Sequence, residues 1–460
     1  MSNSGAATPI PLGDLMNQRQ WLAVAVCVLL NVIDGFDILV MSTAAPAVGT
    51  DLRLSTSGLG LVLSASLWGM MLGALLISPV ADRIGRRPVI LFCLALEFTG
   101  MLLAGFSQDL AQLLLLRLAT GLGVGAIMPV LNTAVAELSS AKQRNLAITA
   151  QAIGYPLGGL LAAIVGGVFL DSHDWRVLLQ ITCIPTLSAF VLVPFYLPES
   201  VDFLVARRPP NALARVNKVL RILGKTPITI LPGIIAVGRD GAGALLKRSI
   251  FPALVLFALA TFVTQFSFYF FLSWLPTVLA PHLVAFDVKS AGSIMLNLGG
   301  IGGDLLFAAF CFRIAARGLT LGALMIAFAS IVALGYQLSN PNLTAILPLV
   351  AGAALFAAMA GIYATAPRVF PPLLRAAGTG IAFSLGRFGG ALAPLVGGII
   401  LGRAGLDIGT ALLLLASPLV IAAILLSTLT DKRLVWRESK SADIACRRNS
   451  PETDARAEPF

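Results

Sequence analysis

Along most of the chain apolar residues run in long blocks, and polar residues gather in the short breaks between them. A helix needs roughly 20 such residues to cross about 30 Å of hydrocarbon, so each block reads as a membrane span. Twelve blocks meet this length, near 21–48, 58–81, 88–106, 110–136, 145–170, 176–197, 250–280, 288–312, 319–338, 343–367, 376–402 and 407–430. Between the sixth and seventh lies a polar and basic stretch from Pro198 to Ser249. The pattern predicts an all-α membrane protein: an N-terminal segment 1–20, a six-helix bundle 21–197, a cytoplasmic central loop 198–249, a second six-helix bundle 250–430 and a charged, disordered tail 431–460.

Composition agrees with a bilayer as the solvent. Of 460 residues 57% are hydrophobic and 12% charged, with a mean hydropathy of +0.90, where soluble domains carry about 25% charged residues. The formal charge of +10 reflects orientation rather than a nucleic-acid partner. Of the 32 Lys and Arg, 26 fall on one side of the predicted topology, nine of them between Arg207 and Arg248 and seven between Lys432 and Arg456. Both termini are therefore expected in the cytoplasm, with no cleaved signal peptide. Arg207, Arg208, Arg215, Lys218 and Arg221 surround Leu213, Val216, Val219 and Leu220, the pattern of a basic amphipathic helix lying on the cytoplasmic membrane surface. Cys27, Cys93, Cys183, Cys311 and Cys446 form no close pair, and His173 and His282 lie far apart in loops, so neither a metal nor a cofactor is expected.

The first span contains two acids, Asp34 and Asp37. An Asp at a helix centre costs roughly 2.5–3.5 kcal/mol on insertion scales, so the pair needs partners, protons or a water-filled cavity. Residues three apart on a helix share a face. Two carboxylates in one partly dry site repel each other, which suits a proton carrier. Arg387 lies in the second half and offers a planar fork for a carboxylate, or alternatively a permanent bridge to one of the acids. Phe36, Tyr155, Phe266, Tyr269, Phe270 and Trp274 are candidates for the apolar walls of a site. Asn31, Gln265 and Asn297 are candidates for hydrogen bonds. Glu97 and Asp304 are further charges within spans, and Asp304, preceded by Gly299, Gly300, Gly302 and Gly303, is the stronger candidate.

The halves echo one another. Glu137 and Arg144 stand seven apart, as do Arg368 and Arg375, and Gly154-Tyr155-Pro156-Leu157-Gly158-Gly159 is answered by Gly386-Arg387-Phe388-Gly389-Gly390.

After the second span, Ser78-Pro79-Val80-Ala81-Asp82-Arg83-Ile84-Gly85-Arg86-Arg87 resembles the G-x-x-x-D-R-x-G-R-R signature of the major facilitator superfamily, with Ser78 in place of its first glycine. Arg117 with Gly121 and Gly123 resembles the superfamily's R-x-x-x-G-x-G. Asp34-Gly35-Phe36-Asp37 is similar to the D-G-F-D hallmark of its aromatic acid/proton symporters. Arg375-Ala376-Ala377-Gly378-Thr379-Gly380, Gly386-Arg387-Phe388-Gly389 with Pro394, Leu197-Pro198-Glu199-Ser200 and Trp274-Leu275-Pro276 also match that branch, with Ala377 where Thr is common. Phe312 to Gly318, the equivalent turn of the second half, lacks the acid and the turn glycine, which implies asymmetric gating.

The resemblance implies the major facilitator fold of two pseudosymmetric six-helix bundles and a bacterial inner-membrane importer of small aromatic carboxylates. Its partners would be the substrate anion, protons and the bilayer, with the proton gradient as driving force. Asp34 and Asp37 would couple protons, while Arg387, Phe36, Asn31, Tyr155, Gln265, Tyr269, Trp274 and Asn297 would bind substrate. Asp82, Arg83, Gly85, Arg86, Arg87, Arg117, Glu137, Arg144, Asp304 and Arg375 would gate or brace the bundles. Transport of another organic ion and a drug/proton antiporter are the alternatives, although Tyr155 interrupts the Gly-Pro of the antiporter signature. A membrane sensor would need an output domain and an enzyme a clustered set of reactive groups, and neither is evident.

Overall fold

Polar caps convert the apolar runs into separate helices. Asn17 and Gln20 form a reciprocal capping box at the start of the first span, and Ser55, Asp109, Asn340 and Asp407 accept from amides at the starts of later ones. The computed structural model describes residues 6–7, 15–140, 142–170, 174–232, 234–235, 250–281, 290–311, 313–370, 374–403 and 405–429. Among them are twelve helices long and apolar enough to cross a bilayer: Gln18–Asp51, Thr56–Ile84, Arg86–Ala104, Leu110–Leu138, Arg144–Phe169, Trp175–Tyr196, Phe251–Leu279, Ala291–Phe310, Ala316–Tyr336, Pro341–Ala366, Gly378–Leu401 and Ile408–Thr428. They match the twelve runs of the sequence in order. The sixth is broken between Trp175–Ile181 and Cys183–Tyr196, where Pro185 has no amide to donate to Ile181. The predicted tail, His173, His282, Cys446 and the side chains of Arg368 and Arg375 lie outside the described residues.

The halves are built alike. In the first, spans 1 and 5, 2 and 4, 3 and 4, and 1 and 6 pack together; in the second, spans 7 and 11, 8 and 10, 9 and 10, and 7 and 12 do the same. The bundles meet through span 2 against 11 and span 5 against 8, pairs that exchange under the same twofold relation. The membrane region is thus two pseudosymmetric six-helix bundles.

Glycines set the separations inside each bundle. A side chain on Gly121 would run into the Ser66 carbonyl, and one on Gly73 into the Leu122 carbonyl, so spans 2 and 4 touch backbone to backbone. Spans 8 and 10 are joined the same way by Gly299 on Leu349, Gly303 on Ala353 and Gly352 on Leu296. Between the bundles, Gly60 meets the Pro394 carbonyl and Gly398 the Thr56 carbonyl. These contacts lie where span 2 begins and span 11 ends, at the end of the molecule opposite the basic turn around Arg86.

The central stretch departs from expectation in one respect. Its amphipathic helix forms over Ala212–Ile222, but Val216, Val219 and Leu220 are buried among Met16, Leu138 and Leu204 of the protein rather than left free for a membrane surface. Arg19 donates to the carbonyls of Arg221 and Ile222, and Asn17 to that of Leu223, so the open C-terminal carbonyls of this helix are satisfied by the segment leading into span 1. Residues Ala6–Ala7 and Ile234–Ile235 form a two-residue antiparallel pairing beside it.

Replacing Gly121 with Ala is expected to destabilise the protein by about 1–3 kcal/mol, because the new carbon overlaps a backbone oxygen that cannot yield. The same change at Gly322, which has open space around it, should leave the thermal midpoint of the purified protein unchanged.

Candidate functional site

Span 1 is pinned to span 5 through small residues. A side chain on Gly35 would collide with the Tyr155 backbone, and one on Gly158 with the Val32 carbonyl and the Phe36 amide. Asn31 adds a hydrogen bond from Nδ2 to the Gln151 carbonyl at 2.6 Å. Asp34 and Asp37 are 1% and 0% exposed, and none of their four carboxylate oxygens has a hydrogen-bond partner. Arg117 of span 4 lies within electrostatic reach of Asp37 but does not pair with its carboxylate. Its Nη2 donates to the Asp37 carbonyl at 3.1 Å and its Nη1 to the Met101 sulfur at 2.9 Å, while Nε has no partner.

Span 11 meets span 7 in the same fashion, with Gly386 against Thr261 and Gln265, Gly389 against the Phe262 carbonyl and Gly390 against Tyr269. Arg387 reaches across from this helix to the first bundle, where Nη1 donates to the Gly125 carbonyl at 3.0 Å and approaches that of Met70 at 3.4 Å. Among the described residues it makes no ion pair with Asp34 or Asp37, although Asp34 is within reach of its charge. Tyr269 and Tyr363 are also within that reach, and the Tyr155 hydroxyl lies beside that of Tyr269. Tyr363 is 49% exposed. Its ring leans on Phe383, centroid to centroid 4.7 Å.

The basic turn between spans 2 and 3 is a second constellation. Gly85 has φ of 111°, and a side chain there would meet the Glu199 carboxylate. That carboxylate accepts from the amides of Arg86 at 2.8 Å and Arg87 at 3.4 Å, capping span 3. Arg86 forks onto Glu137 at 3.0 and 3.2 Å, pairs with Asp82 at 3.0 Å and lies over Phe203. Arg87 donates to the Pro194 carbonyl at 2.6 Å, and Arg207 to that of Asp82 at 2.7 Å. Arg83 and Arg144 are exposed. Burial raises the Asp202 carboxyl above its usual range, opposed by the charges of Arg144 and Arg86. In the second half Arg317 donates to the Ser427 carbonyl.

Residues 27–394 match the model of the Major Facilitator Superfamily. The chain belongs to that superfamily. It is therefore a multi-pass membrane transporter and not an enzyme. It is 30% identical over 400 residues to a 4-hydroxybenzoate transporter of Acinetobacter baylyi, covering 84% of this chain and 86% of that one. It is 30% identical over 431 residues to a gallate transporter of Pseudomonas putida, covering 90% and 94%. The resemblance to aromatic acid transporters drawn from the motifs is borne out by these relatives. A xylose transporter of Escherichia coli in a partially occluded inward-open conformation shares the fold, with a TM-score of 0.71 at 19% identity over 90% of this chain and 98% of that one.

Within this superfamily member the fold redistributes several residues singled out in the sequence. Trp274 is not part of the cavity wall: it is buried between spans 7 and 11, its indole N–H donating to the Pro394 carbonyl at 2.9 Å and its ring against Gly397 and Gly398. Phe270 is packed against Gly397 in the same seam. Phe36, Asn31 and Gln265 are buried at the seams of spans 1 with 5 and 7 with 11. Asn297 sits between the bundles, its Nδ2 on the Ser293 carbonyl and its unpartnered Oδ1 facing Gly159. Asp304 is half-buried, and Gly299 and Gly303 beside it serve contact with span 10. Glu97, ranked behind it from the sequence, is buried and within electrostatic reach of Asp34 and Asp37. Tyr363 was not foreseen; the available signal was that the chain has just five tyrosines, and three of them gather here.

Trp274→Phe keeps the ring and removes the buried hydrogen bond, so it should cost about 1 kcal/mol of stability. Thermal unfolding should show this loss, with KM for transport unchanged.

Proposed function

We propose that the protein imports small aromatic carboxylates together with protons across the bacterial cytoplasmic membrane, by rocking of its two bundles about a central site. The observation that carries this reading is Arg387. Its guanidinium crosses from one bundle to the other within reach of Tyr269 and Tyr363 and is held by backbone carbonyls rather than by a carboxylate. An entering carboxylate offers the bidentate, charged partner that the guanidinium lacks. Tyr363 and Phe383 offer a face for the ring, and the tyrosine hydroxyls with Asn297 Oδ1 offer partners for ring hydroxyls. The names of the relatives, 4-hydroxybenzoate and gallate transporters, fit that chemistry.

Proton coupling follows from the acids opposite. Asp34 and Asp37 have no donors, so each needs a proton or a cation nearby, and bringing a substrate anion toward them favours the arrival of a proton with it. The charge distribution supports cytoplasmic termini and a cytoplasmic basic turn. With that orientation the Gly60–Pro394 and Gly398–Thr56 contacts join the bundles at the periplasmic end.

Cells expressing the protein should accumulate labelled 4-hydroxybenzoate, protocatechuate or gallate, and a protonophore should abolish the accumulation. Absence of protonophore-sensitive uptake across such a panel would overturn the reading. Asp37→Asn should stop accumulation while leaving exchange of internal for external substrate. Arg387→Lys keeps the charge but loses the fork, so KM should rise by about tenfold, equivalent to the loss of one charge-assisted hydrogen bond.

A further inference from the structure

Glu97, on span 3, carries no role in the transport cycle described so far. It is 0% exposed, and neither carboxylate oxygen has a hydrogen-bond partner. Space for it is made by another helix: Gly123 of span 4 presents no side chain, and a β-carbon there would stand 2.8 Å from Glu97 Cγ and 3.2 Å from its Oε1. The glycine of the R-x-x-x-G-x-G pattern thus leaves the room in which a long acid stands beside the acids of span 1.

The charged and titratable groups around Glu97 come from four helices. Asp34 and Asp37 face it from span 1, and Cys93 lies one turn earlier on its own helix. Arg117 comes from span 4, tied to the Asp37 carbonyl, and Cys183 from span 6, its sulfur 3.7 Å from the Phe98 carbonyl. A fifth helix, span 11, brings Arg387 within reach of Asp34. Three carboxyls therefore face two arginines, and the Nε of Arg117 is also without a partner. Two arginines balance at most two carboxylates. The third carboxyl requires a proton whenever water is absent, since a bare carboxylate in such surroundings is prohibitively unstable.

We propose that Glu97 is a third proton-exchanging carboxyl of the transport site, sharing its proton inventory with Asp34 and Asp37. This rests on the proton-coupled reading above and adds to it that the proton is distributed over spans 1 and 3. Because Asp34, Asp37 and Glu97 repel one another when ionised, each sets the proton affinity of the other two. Glu97 would thereby tune the pH at which the carrier loads.

The test uses full-length protein in liposomes. Infrared difference spectra between acid and alkaline pH should contain a protonated-carboxyl band that shifts when glutamate carries carbon-13, and Glu97→Gln should remove that component while Glu97→Asp retains a carboxyl band. Glu97→Gln should also lower the pH of half-maximal accumulation by roughly one unit, the effect of deleting one neighbouring negative charge, while substrate exchange stays within about twofold. A glutamate band and a pH profile both unchanged by Glu97→Gln would overturn the proposal and leave Glu97 a packing residue. Should Glu97→Gln not fold, Glu97→Asp decides: a labelled-glutamate band and a pH profile both unchanged by Glu97→Asp overturn the proposal. The two readings fail separately. A titrating Glu97 in a protein that moves no aromatic acid refutes the substrate, whereas protonophore-sensitive uptake with a silent Glu97 refutes the present inference.

Discussion

Backbone meeting backbone at glycine is the constraint on which the rest of this molecule depends. In lipid there is no hydrophobic force to drive one apolar helix against another, so association rests on close contact and on whatever polar groups that contact buries. Gly35 on Tyr155 and Gly158 on Val32 bring spans 1 and 5, and Gly121 on Ser66 brings spans 2 and 4, to the shortest separation a helix allows. At that separation no hydrogen-bond donor stands beside Asp34, Asp37 or Glu97, and those acids are left without one. Gly125, packed against the Met70 backbone, offers its carbonyl to Arg387 from the other bundle.

The two bundles share a frame and differ in charge. The seam of spans 1 and 5 and that of spans 7 and 11 are built by matching glycines, yet the first carries the acids and the second a cation. Arg387 occupies the place in the Gly386 segment that Tyr155 occupies in the Gly154 segment. Pseudosymmetry thus provides two equivalent positions on spans 5 and 11, and the sequence fills one with a phenol and the other with a guanidinium. A transporter of organic anions needs both a fixed positive charge and removable negative ones, and placing them on separate bundles lets relative motion of the bundles change their distance.

The basic turn follows another logic. Arg86 is gripped by Glu137 and Asp82 while Glu199 caps span 3, so three carboxylates stabilise a positively charged end that repulsion among its arginines would otherwise loosen. Arg86 and Glu137 are largely buried, so removing either partner leaves a charge uncompensated, whereas the pair with exposed Asp82 contributes little.

Much of this was legible in the sequence, because run length against bilayer thickness depends on composition alone. The twelve spans, their order, the acid pair, the glycine echo between Gly154 and Gly386, and the superfamily turn around Gly85 could all be read without coordinates. The sequence could not tell a lining residue from a seam residue. Trp274 looked like a cavity wall and proved to be a lock on Pro394, Glu97 looked minor beside Asp304 and proved to adjoin the acid pair, and Tyr363 passed unnoticed. The amphipathic helix over Ala212–Ile222 was correctly placed, but its apolar face was taken by Met16 and Leu138 rather than by lipid. The physical reason is common to these cases. A span that is apolar on every side has no periodicity to reveal its inward face, so only the packing of the helices decides which side chains meet.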